Sequence, residues 1–190
     1  SSIFDFLTFY VMLSVLKDTL AVSRGSPTVL DEERTAVLQA KVQELYGRAG
    51  HAWPLWDGSK AEKTSFHFDE AWRLIGEFNR EPCIMFWQPS DEACALKFES
   101  PCDLIDTLEE MYGTEFYVTN EDVSYLFCFN DHDVLIAYGD ASEWLDNVLT
   151  HGLEFIENPS ASLLRRLEEM VREAELADSV DAASSPNLPE

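Results

Sequence analysis

The stretch that decides the fold covers residues 125–145 and reads YLFCFNDHDVLIAYGDASEWL. Two apolar runs, 125–129 and 134–138, are separated by the polar tetrapeptide Asn130–Asp133. Asn and Asp side chains bond to their own backbone in turns, and a four-residue connection suits a hairpin. The sequence therefore predicts a β-hairpin with this tetrapeptide at its tip. Because both strands carry apolar residues on both faces, we expect the hairpin at the centre of a sheet that helices cover.

The rest of the chain alternates short strand and helix patterns. Runs of β-formers bounded by turn residues predict further strands at 83–88, 93–98 and 115–119. Apolar spacing and capping residues predict helices at 31–48, at 69–78, from Ser100 to Gly113, from Asp140 or Ser142 onward, and at 160–177. These elements predict an α+β fold, with a central, mostly antiparallel sheet of about four to five strands and with N- and C-terminal helices flanking it.

The domain organisation follows from length and composition. A chain of 190 residues with 46% hydrophobic content can bury a core of its own. We expect one α+β domain over residues 1–177, in which 1–49 form an N-terminal helical element and 66–177 the sheet-containing core. Residues 178–190 are small, polar and Pro-bearing, which predicts a disordered acidic tail.

The apolar segment from Ile3 to Leu16 predicts a buried helix. Asp5, Thr8 and Ser14 interrupt it, and it is shorter than the ~20 apolar residues that cross a bilayer. It also lacks the basic start and the small-residue cleavage site of a signal peptide. We therefore expect no membrane association. The rest of the domain would cover this helix, or a second copy would, which makes a homodimer through the N-terminal helix an alternative.

The charge of the chain is its most informative property. The net charge is −23, and residues 81–160 hold eighteen Asp and Glu against the single cation Lys97. Solubility of a small domain needs a net charge of only about 2 to 8 in magnitude. The excess indicates either a function for the charge or a salt-adapted proteome. Direct binding to nucleic acid or to an anionic membrane is excluded by its sign.

No enzymatic signature accompanies this charge. The sequence contains no phosphate-binding loop, no dinucleotide fingerprint, no nucleophile elbow and no zinc-protease motif. The four cysteines include no C-x-x-C pair, which favours free thiols in a reducing compartment and hence a cytoplasmic location. We predict no metal, no cofactor and no enzymatic activity.

The Asn-Asp-His-Asp turn allows several roles. A metal site is disfavoured because adjacent residues point in different directions and no second ligand cluster accompanies them. A general base needs a pocket and a partner that the sequence does not show. The remaining alternatives are plain turn residues or an acidic recognition edge. The predicted partner-binding residues come from the hairpin tip and the following helix and are Asp131, His132, Asp133, Asp140, Glu143, Trp144 and Asp146.

Several tryptophans and one tyrosine have two interpretations. Trp87, Tyr138 and Trp144 are either core residues or desolvated anchors of an interface. Trp53 and Trp56 lie in a segment broken by Gly and Pro, and they either pack down as a loop anchor or form part of a recognition surface.

The segment FNDHDVLIAYGDASEWL, residues 129–145, resembles one found in small bacterial immunity-type proteins of toxin systems. A strand, an Asn/Asp/His turn, a second apolar strand, a Gly and a Glu-Trp pair recur there, and the similarity covers residues 116–149. The chain lacks the early Pro-containing and Gly-Gly segments of the SUKH immunity superfamily. The resemblance implies a cytoplasmic α+β protein that blocks a toxin by occluding it.

Charge and resemblance together predict a non-enzymatic acidic binding protein that neutralises a basic protein, such as a bacterial toxin or nuclease. One alternative is a phage-type DNA-mimicking regulator or anti-restriction protein, which would use the same carboxylates against a DNA-binding protein. Another is a small enzyme with a carboxylate and imidazole site near His132.

Overall fold

The computed structural model describes residues 15–23, 25–48, 53–56, 61–111 and 113–184. The chain forms two compact units, which meet in sequence between Phe155 and Ile156. Residues 15–22 are helical and form α1. Residues 3–14 of the predicted N-terminal helix, and with them the proposed dimer contact, lie outside the described residues. The domain limits predicted from the sequence stay a prediction.

The first unit is built around one seven-stranded sheet. Its strands are β1 (Thr28–Leu30), β2 (Lys63–His67), β3 (Cys83–Phe86), β4 (Ala95–Phe98), β5 (Phe116–Thr119), β6 (Tyr125–Phe129) and β7 (Val134–Gly139). The spatial order is β1-β4-β3-β5-β6-β7-β2, and each neighbouring pair is antiparallel. The predicted α+β class and the five predicted strands are confirmed.

The predicted number of four to five strands is wrong, because the two edge strands β1 and β2 were not recognised. β1 has only three residues, and β2 reads KTSFH, in which Phe66 is the single apolar residue. An edge strand needs little burial and therefore carries little apolar signal. The five interior strands are buried almost throughout and read as continuous apolar runs.

The helices follow the predicted order. They are α2 (Glu32–Tyr46), a 3-10 turn (Ala71–Leu74) that continues into α3 (Ile75–Phe78), α4 (Pro101–Leu108), α5 (Asp140–His151), a 3-10 turn (Gly152–Phe155) and α6 (Ala161–Ser184). The predicted caps of two helices are present. Asp31 accepts a hydrogen bond from the Arg34 N–H at 2.9 Å at the start of α2, and Ser100 accepts one from the Cys102 N–H at 3.2 Å at the start of α4.

Three predicted helix boundaries are wrong. α4 ends at Leu108, well before Gly113. The N-cap of α5 is Gly139, so that Asp140 is already helical. α6 continues past Ala177 to Ser184, because the segment 178–184 contains neither Gly nor Pro to stop it before Pro186.

The sheet carries helices on both faces. On one face, α2 places Leu38, Val42 and Tyr46 in the core cluster that includes Phe86 and Tyr138 of the sheet. On the other face, Phe78 of α3 lies edge-on to Tyr125 and Phe127 of β6 and to Trp144 of α5, with ring centroids 4.9 to 5.5 Å apart. The central hairpin is therefore held between two apolar layers.

The loop tryptophans pack onto the α2 face. Trp53 lies edge-on to Tyr117, with ring centroids 4.9 Å apart, and Trp56 stacks on the same tyrosine at 5.5 Å. Both side chains are half-buried. The interpretation of these residues as a loop anchor is confirmed.

Candidate functional site

The candidate site is the end of the sheet at which the β6–β7 hairpin turns. At this end β1, β2, β3 and β6 finish, whereas β4, β5 and β7 begin. We call it the hairpin end. The chain segments around it are the two residues after β1 and after β2, the two residues before β5, and the β3–β4 and β6–β7 loops.

Asn130 shapes the hairpin tip from inside. Its side-chain oxygen accepts hydrogen bonds from the N–H groups of His132 and Val134, both at 3.1 Å, and it is buried. The Asp133 N–H donates to the carbonyl of Asn130 at 3.1 Å, and Asp133 has a φ of 57°. Asp is one of the few residues that adopt this left-handed conformation with little strain. The neighbouring strand is attached as well, since the Phe68 N–H donates to the Asp133 carbonyl at 2.9 Å.

A row of carboxylates crosses the hairpin end from one sheet edge to the other. Seven of them are at least partly exposed, and we call them the acidic row: Asp31, Glu32, Asp69, Asp91, Glu115, Asp131 and Asp133. An eighth, Glu92, is buried and accepts a hydrogen bond from the Cys94 N–H at 3.0 Å. The short stretches at this end, residues 31–32, 68–69, 87–94, 114–115 and 130–133, contain no Lys or Arg, and the nearest cation in sequence is Arg34 in the first turn of α2.

Two groups at the hairpin end, Cys94 and Glu115, have a raised pKa, and in both burial is the largest cause and neighbouring carboxylates a smaller one. Burial, and then the carboxylates Glu92, Glu32 and Asp31, raise the pKa of the Cys94 thiol. The two carboxylates that follow β1, Asp31 and Glu32, therefore contribute to the raised pKa of this thiol. Cys94 is half-buried, and its negative surroundings disfavour the thiolate that nucleophilic chemistry would require.

Glu115 connects the row to the hairpin tip. Its carboxylate accepts hydrogen bonds from the Gln88 side-chain amide at 3.0 Å and from the Asp131 N–H at 3.4 Å. Burial is the main cause that raises the pKa of Glu115, and the Asp131 carboxylate adds to it, whereas these hydrogen bonds act in the opposite direction.

His132 lies exposed at the tip. Its Nε2 lies 3.5 Å from an Asp131 carboxylate oxygen, and the two side chains are 80% and 64% exposed. An exposed pair of this kind contributes little to stability. In the described part of the chain, no group of three or more His, Cys, Asp or Glu is arranged to hold a metal ion.

The predicted acidic edge is divided into two surfaces. Asp131, His132 and Asp133 lie at the hairpin end, but Asp140 begins α5 at the opposite end of β7, a strand of six residues that spans about 20 Å. Glu143 and Asp146 line a groove at that second end together with the cation Lys63. The structure therefore does not bring the two predicted groups together. The partner-binding role of each group stays a prediction.

The predicted aromatic anchors belong to the interior. Trp87 and Tyr138 are fully buried, and Trp144 is half-buried against Phe78, with Phe127 at a centroid distance of 6.4 Å. Trp87 and Tyr138 are thus core residues, and only Trp144 has surface left to offer a partner.

A groove that the sequence did not reveal opens beside the hairpin tip. It has a volume of about 310 Å³. Three carboxylates, Asp69, Asp131 and Asp133, line it together with several apolar and aromatic side chains: Trp72, Leu108, Met111, Phe116 and Phe129. Asp69 and Trp72 were missed because they follow β2, the edge strand that carries almost no apolar signal.

Function has to be inferred from the geometry of the hairpin end, because comparisons with known proteins found no match. No protein-family model, no curated protein and no solved structure matches the chain. Among the residues that the structure describes, no helix has the length and apolar character needed to span a membrane.

Proposed function

We propose that this chain is a non-enzymatic acidic binding protein that inhibits a basic protein by docking its hairpin end onto it. The observation that carries the proposal is the acidic row, whose seven carboxylates lie in segments without Lys or Arg. The nearest cations along the chain are Arg34 and Arg73. Arg73 is already engaged by Glu70 and Glu109, with N–O distances of 2.6 and 2.5 Å.

The spacing of the row supports a partner that normally binds nucleic acid. Seven strands are separated by six intervals of about 4.8 Å, so the row is about 29 Å long. Seven charges over this length correspond to about one per 4 Å, and each DNA strand carries about one per 3.4 Å along the helix axis. A basic cleft that recognises phosphates would meet a similar charge density here.

The function that fits best is immunity against a nuclease-type toxin. An inhibitor of this kind must associate faster than the toxin meets its substrate, and opposite charges raise association rates to about 10⁸ to 10⁹ M⁻¹s⁻¹ at low salt. The rigid attachment of the tip through Asn130 and Phe68 favours such a role, because a preorganised surface loses little entropy on binding.

The second candidate is a DNA-mimicking regulator, which the same charge spacing favours. The two candidates differ in the partner. An immunity protein would abolish the nuclease activity of its partner, whereas a DNA mimic would displace DNA from a regulator or restriction enzyme that is not itself toxic.

The test compares two variants of equal charge. The first neutralises the hairpin end through Asp69→Asn, Asp131→Asn and Asp133→Asn. The matched control neutralises three exposed carboxylates at the opposite end through Glu62→Gln, Glu99→Gln and Asp122→Asn. Each protein is immobilised, exposed to a lysate of the source organism and eluted with a salt gradient.

We expect one basic protein to be retained by the wild type and by the control but lost from the hairpin-end variant. The captured protein is then purified, and its association rate is measured at several salt concentrations. We expect the hairpin-end variant to associate about tenfold more slowly at low salt. Equal retention and equal rates for both variants would refute the hairpin end as the docking surface.

A further inference from the structure

We infer that the groove beside the hairpin tip holds the guanidinium group of an arginine side chain from the basic partner. This inference rests on the proposed function and specifies its anchor. A long-range field steers a partner but does not fix its position, whereas a side chain inserted into a desolvated pocket does.

The carboxylates that line the groove call for a cation. Asp69 and Asp133 take part in no ion pair within the described part of the chain, and the Asp131 carboxylate lies 3.5 Å from the exposed imidazole of His132. Arg73, which lies close in sequence, pairs instead with Glu70 and Glu109. The described part of the chain therefore supplies no Lys or Arg partner to the three carboxylates of this groove.

The walls of the groove suit the flat face and the aliphatic stem of an arginine. Phe116 and Phe129 stack on each other with ring centroids 5.8 Å apart and are buried, so Trp72, which is half-buried, is the aromatic ring with the most surface open to the groove. The chain already uses this chemistry, since the guanidinium of Arg73 lies over the Trp72 ring at 4.4 Å from its centroid. An incoming stem would cover apolar wall while its charged head reaches the carboxylates.

Size and rigidity favour one arginine side chain. The volume of about 310 Å³ lies at the lower limit of small-molecule sites, which range from about 300 to 1,000 Å³. A guanidinium offers five N–H donors in a planar fork that matches several carboxylates at once, whereas a lysine ammonium is a compact and strongly hydrated point charge. Asp131 and Asp133 belong to a turn that the Asn130 side chain holds in place, so the acceptors are preorganised.

The experiment is a two-dimensional ¹H–¹⁵N NMR titration of the full chain with N-acetyl-L-arginine amide. The corresponding citrulline amide, which has nearly the same shape but no charge, and the lysine amide serve as comparison probes. We expect saturable shifts of the amides of residues 69–72, 114–116 and 129–133 with the arginine probe, and at least fivefold weaker binding of the other two. Shifts spread over both ends of the sheet, or equal binding of the lysine amide, would overturn the inference.

A double variant tests the carboxylates directly. Asp69→Asn with Asp133→Asn should weaken binding of the arginine amide at least tenfold. The control Glu62→Gln with Asp122→Asn, which has the same net charge, should bind like the wild type. Asn tolerates the left-handed conformation at position 133, so the fold should persist, and an unchanged far-ultraviolet circular dichroism spectrum verifies this. Equal weakening by both variants would mean that only the overall field attracts the probe.

The titration needs no natural partner, so its failure is separable from failure of the proposed function. If the arginine amide does not enter the groove but partner capture still depends on the hairpin-end carboxylates, the arginine pocket is refuted and the proposed function stands. If the arginine amide binds the groove but no basic protein is retained, the pocket is supported and the proposed function is refuted.

Discussion

At the residue scale, the hairpin end depends on a buried amide and a half-buried carboxylate. Asn130 supplies the acceptor that closes the tip, and Glu115 joins the tip to the β3–β4 loop through Gln88. Neither residue was among the predicted site residues, because the sequence shows charge but does not show which polar groups are buried. Their energetic roles differ. Asn130 satisfies backbone N–H donors, whereas Glu115 holds a negative charge that is partly buried and close to the Asp131 carboxylate.

We expect Asn130→Ala to lower the free energy of unfolding by about 1–3 kcal/mol, because two backbone N–H groups lose their acceptor. Urea denaturation measures the change. The control is Asn130→Asp, which keeps an acceptor oxygen and should lose less when the added charge is screened with salt. An Asn130→Ala protein as stable as the wild type would show that the tip does not need the side chain.

The raised pKa of Glu115 predicts that the free energy of unfolding depends on pH. Its pKa is raised in the folded state, so between the unfolded and the folded pKa the folded chain binds more protons. Stability contributed by this group is therefore fully present below the unfolded pKa and is lost as the pH rises through the folded pKa. Relative to Glu115→Gln, the wild type should become less stable as the pH rises from about 4 to 7. Denaturant unfolding of both proteins at each pH checks this, and a constant difference would contradict it.

At the scale of elements, the connection from β7 to α5 is closely packed. Gly139 has a φ of 61°, and a Cβ atom there would collide with the carbonyl oxygen of Ser124 and lie 2.6 Å from the hydroxyl of Tyr46. That hydroxyl donates to the Val123 carbonyl at 2.9 Å and so ties the end of α2 to the β5–β6 loop. Three elements meet here with no room for a side chain.

Gly139→Ala should therefore destabilise the protein more than a glycine substitution that only strains the backbone. The matched control is Gly152→Ala, where φ is also positive, at 74°, but no atom lies within 4 Å of the added Cβ. We expect the control to lose about 1–3 kcal/mol, because its backbone, with φ 74° and ψ −169°, lies in a region that is essentially restricted to glycine. Gly139→Ala should lose at least about 1 kcal/mol more from the collision. Thermal and urea unfolding of both variants measure the difference, and equal losses would contradict the steric argument.

How much of the fold the sequence could predict depends on the burial of each strand. β3, β5 and β6 are buried on both faces, so their apolar runs identified them as central strands. β2 is an edge strand that alternates exposed and half-buried positions. Its strand conformation depends more on pairing with β7 than on its own amino-acid composition. Missing β2 also concealed Asp69 at its end. The hairpin tip was recognised from turn chemistry, but the groove beside it depends on tertiary contacts.

At the scale of the whole molecule, the carboxylates are distributed unevenly relative to the cations. The acidic row crosses the hairpin end without Lys or Arg in its segments. At the opposite end, Lys97 pairs with Glu121 at 2.8 Å, and Lys63 shares a groove with Glu143 and Asp146. The net charge of −23 was readable from the sequence, but this separation was not, because strand order decides which carboxylates become neighbours.

The stability of the folded chain should therefore rise with salt, and the hairpin end should be the main reason. Raising NaCl from about 0.01 M to about 0.15 M shortens the Debye length from about 30 Å to about 8 Å. The first length matches the acidic row of about 29 Å, so its members repel one another across the whole end at low salt and only locally at high salt. A gain of about 1 kcal/mol would raise the melting temperature by about 2–4 °C.

The two triple variants used to test the docking surface locate this repulsion. Neutralising Asp69, Asp131 and Asp133 should raise the melting temperature at low salt and reduce its dependence on NaCl. The control at positions 62, 99 and 122 should change both less, since Lys63 and Lys97 already oppose the charge there. Calorimetry across the NaCl series separates the variants. An equal salt dependence for both would mean that the repulsion belongs to the net charge alone, and a melting temperature that falls with NaCl would mean that attractive ion pairs outweigh it.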